Sequence, residues 1–133
     1  MSLYYLDTSA ALKLLAEESD SRAFAAFYDS EVGATWISSA LLRIELIRAV
    51  GRVLPAALPE ARALLLAINF VSIDDEVVEA AMNEPDRMLR SLDAIHLATA
   101  RMLGSDLEGL VTYDGRLAGA AKDAGIPVID PRD

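Results

Sequence analysis

"YYLDTSAALKLL", Tyr4–Leu15, is a short apolar run that ends in a carboxylate and passes at once into helix-forming sequence. Tyr4 to Leu6 reads as a central strand, and Thr8 or Ser9 is placed to cap the helix that continues through Ala10, Leu12 and Leu15. Asp7 therefore stands where a buried strand ends. A charge in such a place is costly unless it is paired or binds a cation, so the stretch calls for a partner elsewhere in the chain.

The strand-then-helix unit recurs along the sequence. Ser19 and Ser21 open an amphipathic helix carrying Ala23, Phe24 and Phe27, Gly33 breaks it, and "ATWIS" supplies another strand. Ser38 or Ser39 caps a long helix from Ala40 to Val53, on which Leu41, Ile44, Ile47 and Leu54 keep a helical period. Pro55 and Pro59 bracket the passage to a helix over Glu60 to Ile68. "NFVSI" is a third strand, and Asp74 and Asp75 start the fifth helix. After Pro85, "RSLDAIHLATARMLG" reads as a helix capped by Ser91 and stopped by Gly104. "GLVTYD", a helix from Leu117 to Ala124 and "IPVID" complete the series. Brief apolar strands alternating with helices predict an α/β fold, a three-layer sandwich with a mainly parallel central sheet flanked by helices.

Composition narrows the class. With 133 residues, 53% hydrophobic and 25% charged, the chain is read as one domain over residues 1–133 with a core that needs no staple. Cysteine is absent, which removes disulfides, thiolate zinc sites and cysteine nucleophiles. No apolar run is long enough for a membrane span, and the amino terminus lacks the pattern of a signal peptide, so the expectation is a soluble, cytoplasmic protein with no membrane partner. A net charge of −9 argues against gripping nucleic acid by bulk electrostatics. A substrate rich in phosphate would need bound cations or a local cluster of arginines, and the same acidity would attract a basic protein partner.

In an open parallel sheet, ligands bind beyond the carboxyl ends of the strands. Asp7 ends the first strand, Thr112 and Asp114 end "GLVTYD", and Asp93 lies in the first turn of the helix that leads towards it. Glu45 sits on the helix after "ATWIS", between Ile44 and Leu46, an awkward place for a solvated acid. Each has an ordinary explanation: Asp93 complements a helix dipole, Asp114 fits a turn, and Glu45 pairs with Arg48 or Arg52. Gathered on one rim, however, they repel one another unless a cation lies between them. Oxygen ligands with neither cysteine nor a histidine pair point to magnesium or manganese. Carboxylate-held metals activate water for in-line displacement, so phosphodiester hydrolysis is the leading reaction class.

These residues resemble a known family. The opening "YYLDTSAALKLL", the helix "SSALLRIEL", the segment "LDAIHLATA" and "LVTYD" followed by a short helix and strand are similar, in order and across essentially the whole chain, to a PIN domain of the VapC-type toxins of toxin–antitoxin pairs. The resemblance implies a magnesium- or manganese-dependent endoribonuclease. Asp7, Glu45, Asp93 and Asp114 would form its acidic pocket, with Asp7 and Asp93 as direct ligands, Glu45 ligating directly or through water, and Asp114 outside them or on a further ion. It also implies a homodimer and a cognate antitoxin whose tail covers the pocket. Thr8 and Thr112 would steady the carboxylates, and capping and strand preference account for them equally well. Many relatives carry a further acid after the last one. Here Gly115, Arg116 and Leu117 follow, which weakens the case for a permanent second metal.

Among the remaining residues, His96 invites the role of general base, but packing or hydrogen bonding beside the pocket accounts for it better. Arg43, Arg48, Arg52, Arg87, Arg90 and Arg101 offer a partial basic rim for RNA, though most read as solvated or ion-paired. Tyr5, Trp36 and Tyr113 are candidates for base stacking; Trp36 in a strand reads as core, which leaves Tyr113 as the one to test. Leu12, Leu15, Phe24 and Phe27 form an apolar stripe suited to core or to an antitoxin helix. Two competing functions remain. An aspartyl phosphatase would use Asp7 as nucleophile but lacks a second acid at Ser9. A catalytically inactive PIN-like binding module would keep the acids for a basic peptide.

Overall fold

The structure, a computed structural model, describes residues 2–133. Five parallel strands form one sheet in the order β3-β2-β1-β4-β5. They are β1 (Leu3–Leu6), β2 (Thr35–Ser39), β3 (Asn69–Val71), β4 (Gly109–Val111) and β5 (Val128–Ile129). The helices are α1 (Thr8–Lys13), α2 (Ser21–Ser30), α3 (Leu41–Val53), α4 (Leu58–Leu66), α5 (Asp75–Met82), α6 (Ser91–Met102) and α7 (Gly115–Asp123). The chain winds outward from β1 through β2 to β3, then returns to lay β4 on the other side of β1. The switch point therefore falls between β1 and β4, and the crevice beyond it is where such sheets bind ligands.

Side-chain alternation divides the core between the two faces of the sheet. Tyr4 and Leu6 of β1 join Phe24, Trp36, Leu42, Leu46, Val50 and Ala61, which brings α1 to α4 onto one face. Tyr5 points the other way and packs with Leu97, Ala100, Leu110, Leu117 and Ala121, which brings α6 and α7 onto the second. This is the expected three-layer sandwich. Trp36 and Phe24 are core, and Leu12, Leu15 and Phe27 lie partly buried against the same cluster. At Gly109 the Ile129 side chain of β5 fills the space a Cβ would take.

Several element ends differ from the sequence reading. Asp7 itself caps α1, accepting from the Ser9 amide, where Thr8 or Ser9 was expected. Helix α1 ends at Lys13 instead of running to Leu15. Ser91 is the first residue of α6, and Arg90 precedes it without a side-chain cap. Ser39 Oγ accepts from the Leu41 amide at 3.1 Å, but Ala40, and neither Ser38 nor Ser39, stands at the cap position of α3, without a side-chain bond. Gly104 follows α6 with φ +60°, the left-handed conformation that favours glycine after a helix. Strand β4 stops at Val111 because Thr112 and Asp114 turn their hydroxyl and carboxylate to the chain's own amides.

Candidate active site

Asp7 leaves β1 with its amide still bonded to Val111 O at 3.1 Å, so the backbone ladder to β4 extends one residue beyond the strand. Its side chain is 6% exposed. Oδ2 accepts from the Ser9 hydroxyl and the Thr112 hydroxyl, each at 2.7 Å, and from the Ser9 amide at 3.4 Å. Ser9 Oγ in turn accepts from the Tyr113 amide at 2.9 Å, and Thr112 Oγ1 accepts from the Asp114 amide at 3.1 Å. One oxygen of Asp7 is thus fixed by groups from both sides of the switch point. Oδ1 is left facing His96 Nε2 at 3.8 Å.

Glu45 enters from α3 and meets neither Arg48 nor Arg52. Its Oε1 receives the Thr8 hydroxyl and His96 Nε2, each at 2.7 Å. His96, on α6, is fully buried, and its Nδ1 lies 2.6 Å from the Tyr5 hydroxyl. Burial works against an ionised Glu45, but the hydrogen bond and charge of His96, with the Thr8 hydroxyl, together hold the carboxyl below its ordinary value. Burial would likewise lower His96, and the bond to Glu45 with the Asp7, Glu45 and Asp93 charges together raises it. Burial pushes the Tyr5 phenol up, so it stays neutral.

Asp93 and Asp114 complete the rim. Asp114 caps α7 through Oδ1, accepting from the Arg116 amide at 2.9 Å and the Leu117 amide at 3.1 Å. Asp93, in the first turn of α6, is pushed up to about 6 by burial and then by Asp114, Asp7 and Glu45, with His96 pulling the other way. The four acids therefore share one electrostatic environment. None of the ion pairs among the described residues joins a lysine or arginine to any of them. A cavity of about 490 Å³ opens over Asp93 and Asp114, walled by Arg90, Gly115 and Arg116.

The acids share a rim but do not form a finished ligand set: among the described residues no three histidine or acidic side chains already converge on a single ion position. Glu45 Oε1 and Asp7 Oδ2 are turned to hydrogen-bond donors, and mutual repulsion disfavours closer approach of the rest. Donor chemistry is the better test of fit. The acids offer hard oxygens that form no ion pair with lysine or arginine among the described residues, and burial together with the neighbouring carboxylates pushes Asp93 up, an arrangement that suits a small divalent cation.

Tyr113 is placed otherwise than a free stacking platform. Its hydroxyl donates to Pro131 O at 2.7 Å, Lys13 and Arg132 lie over its ring at 5.1 and 5.4 Å, and its ring meets Phe24 edge-on. Of the six arginines read as a possible rim, Arg101 pairs with Glu84, Arg43 lies over Phe70, and Arg87 donates to Met82 O. Arg90 alone of that group lines the acid cavity, joined there by Arg116. The sequence reading missed Ser9 as a support of Asp7 and Tyr5 as the partner of His96. Ser9 was legible in principle, since an acid two residues before a serine is a common local hydrogen-bonding pair.

Comparison with known proteins fits this geometry. Residues 4–123 match the PIN domain family model. The chain is also 43% identical over 131 residues to Ribonuclease VapC35 of Mycobacterium tuberculosis, with 97% of each chain covered. The chain belongs to the PIN-domain family. The fold of this PIN domain is similar to the crystal structure of Mycobacterium tuberculosis VapC20, described as a Sarcin-Ricin loop cleaving toxin, with TM-score 0.77 and 18% identity over 98% of this chain and 99% of that one. It is similar too to a toxin–antitoxin complex from Klebsiella pneumoniae, with TM-score 0.68 and 22% identity over 100% and 99% of the two chains. In this PIN domain Asp7 and Asp114 follow the carboxyl ends of β1 and β4, and Glu45 of α3 and Asp93 of α6 face them.

Proposed function

We propose that this PIN domain is the toxin of a VapC-type toxin–antitoxin pair, an endoribonuclease that hydrolyses RNA phosphodiester bonds at the rim formed by Asp7, Glu45, Asp93 and Asp114. The observation that carries the site is geometric: Asp7 at the end of β1 and Glu45 from α3 meet at His96, with the cavity over Asp93 and Asp114 opening on the same rim. Burial and then the charges of Asp114, Asp7 and Glu45 push the Asp93 carboxyl up, in keeping with that gathering. Divalent-metal dependence is general among PIN-domain ribonucleases, and magnesium or manganese is the ion we assign here. Asp7 through Oδ1, Asp93 and Glu45 would hold it, with Asp114 beside them. When bound, such an ion lowers the pKa of a water and offsets charge on the phosphate.

The chain's own groups do the rest. Thr112 and Ser9 fix Asp7, Thr8 and His96 fix Glu45, and neither carboxylate has to reorganise when substrate arrives. Arg90 and Arg116 stand at the cavity wall where a polyanion must pass a protein of net charge −9. An antitoxin and a second copy of the chain would cover apolar side chains left on the surface, among them Ile44, Leu66, Met82 and Met88. No helix among the described residues is long and apolar enough to cross a membrane, and we place the protein with its RNA in the cytoplasm.

The test is RNA cleavage by Asp7→Asn and Asp93→Asn with manganese supplied. Both should fold, as judged by circular dichroism and melting, and neither should cut. Cleavage at the parent rate by either folded variant would refute the assignment of the site.

A further inference from the structure

Tyr5 and His96 are 91 residues apart in sequence and meet beneath the acid rim. The direction of each hydrogen bond follows from the donors present. Ionised Glu45 can only accept, so the His96 nitrogen 2.7 Å from its Oε1 carries the proton; with a neutral imidazole Nδ1 then accepts from the Tyr5 hydroxyl at 2.6 Å, whose oxygen accepts from the Ser39 amide at 3.1 Å. Nδ1 then carries no proton and Nε2 does. If the ring gains a second proton it adds at Nδ1, and Nε2–H is unchanged. In either charge state Nε2–H donates to Glu45 Oε1 at 2.7 Å. The Thr8 hydroxyl donates to the same oxygen, also at 2.7 Å. Both acceptor positions of Oε1 are occupied, whereas Oε2 takes part in none of the hydrogen bonds formed by Glu45 among the described residues.

We propose that His96 is a positioning residue: held by Tyr5, it joins Thr8 in saturating Glu45 Oε1, so that Glu45 works through Oε2 alone. The inference rests on the ribonuclease reading and deepens it. The His96 side chain is 1% exposed, so no substrate atom can reach it and it serves as no general base towards RNA. Its part is to select which oxygen of Glu45 is presented, and in what orientation, to the ion and the attacking water.

His96 is the only histidine, so its ring nitrogens can be followed without ambiguity by nitrogen NMR of the isotopically labelled, metal-free protein. Where the ring is neutral, Nε2 is expected to carry the proton and Nδ1 to be bare. A ring protonated at Nδ1 and bare at Nε2 at the alkaline end would overturn the proposal. Manganese binding by calorimetry and RNA cleavage by His96→Leu and His96→Gln give a second readout. Loss of the donor in His96→Leu should lower manganese affinity and kcat by about 10- to 100-fold with KM for RNA little changed, as for other groups that orient a metal ligand. His96→Gln, whose amide reaches the place of Nε2, should recover most of that loss. His96→Leu behaving as the parent in both assays would overturn the proposal. Should His96→Leu fail to fold, His96→Asn replaces it, since its shorter amide stands at the place of Nδ1 and cannot reach Glu45; equal behaviour of the Gln and Asn variants would likewise overturn the proposal. A parent protein that binds manganese but cuts no RNA would sink the ribonuclease reading instead, and the NMR result would stand by itself.

Discussion

Replacing Asp93 by asparagine should make the metal-free protein more stable at neutral pH, the reverse of the usual outcome for a partly buried residue. The carboxyl is raised from 3.8 to about 6 by burial and by the charges of Asp114, Asp7 and Glu45, against an opposing pull from His96. At about 1.4 kcal/mol for each factor of ten, that rise corresponds to about 3 kcal/mol at a sealed site. Asp93 is only half-buried, so solvent screening reduces the figure to about 1.5 kcal/mol. The helix dipole, which favours a negative charge in the first turn of α6, brings the expected net gain for asparagine to about 1 kcal/mol. The sign follows from linkage: with the folded-state value above the unfolded one, the parent holds Asp93's contribution fully below about pH 4 and loses it as pH rises through about 6. Asp93→Asn should therefore match the parent near pH 4 and exceed it at pH 8, by about 4 °C in Tm for a chain of this size. Thermal melts in chelator at both pH values measure it directly. Manganese at pH 8 should stabilise the parent and do little for the variant. An asparagine variant no more stable than the parent at pH 8, or one that gains equally from manganese, would refute the claim that the acids share one field.

Other expected outcomes test separate parts of the structure. Arg90→Gln and Arg116→Gln should weaken RNA binding at low salt and reduce the slope of log K against log salt by about 0.7 each, the value for one single-strand phosphate contact; an unchanged slope would remove them from the RNA path. Gly109→Ala should destabilise the fold by about 1–3 kcal/mol in urea titrations, because a Cβ there collides with the Ile129 side chain, which must leave its place. Asp7→Asn should lose cleavage while melting within a few degrees of the parent, since asparagine keeps an oxygen for the Ser9 and Thr112 hydroxyls.

The layering, and the placing of Asp7 and Asp114 on one edge of a parallel sheet, were readable in the sequence; the strand order was not. Short apolar runs such as "LYYL" and "GLV" can only be buried on both faces, and the helices between them make parallel pairing the natural outcome. The acids at strand ends follow from that topology, because all the carboxyl ends of a parallel sheet lie on one edge. Capping was read less well. Asp7 took the role expected of Thr8 or Ser9, since a residue in extended conformation just before the first turn is the one whose side chain can reach the free amides.

What the one-dimensional chain determined by itself was therefore periodic or local: the alternation of elements, the buried strands, and the acids that punctuate them. Tertiary structure alone decided who holds whom. Glu45 looked closest to Arg48 and Arg52 on its own helix, yet it turned to Thr8 and to His96, 37 and 51 residues away. Nor does anything near Tyr5 in sequence announce His96. Hydrogen-bond partners inside a core are chosen by which donors the packed layers bring within about 3 Å of an acceptor that water no longer reaches. That choice is made only when the two faces of the sheet close.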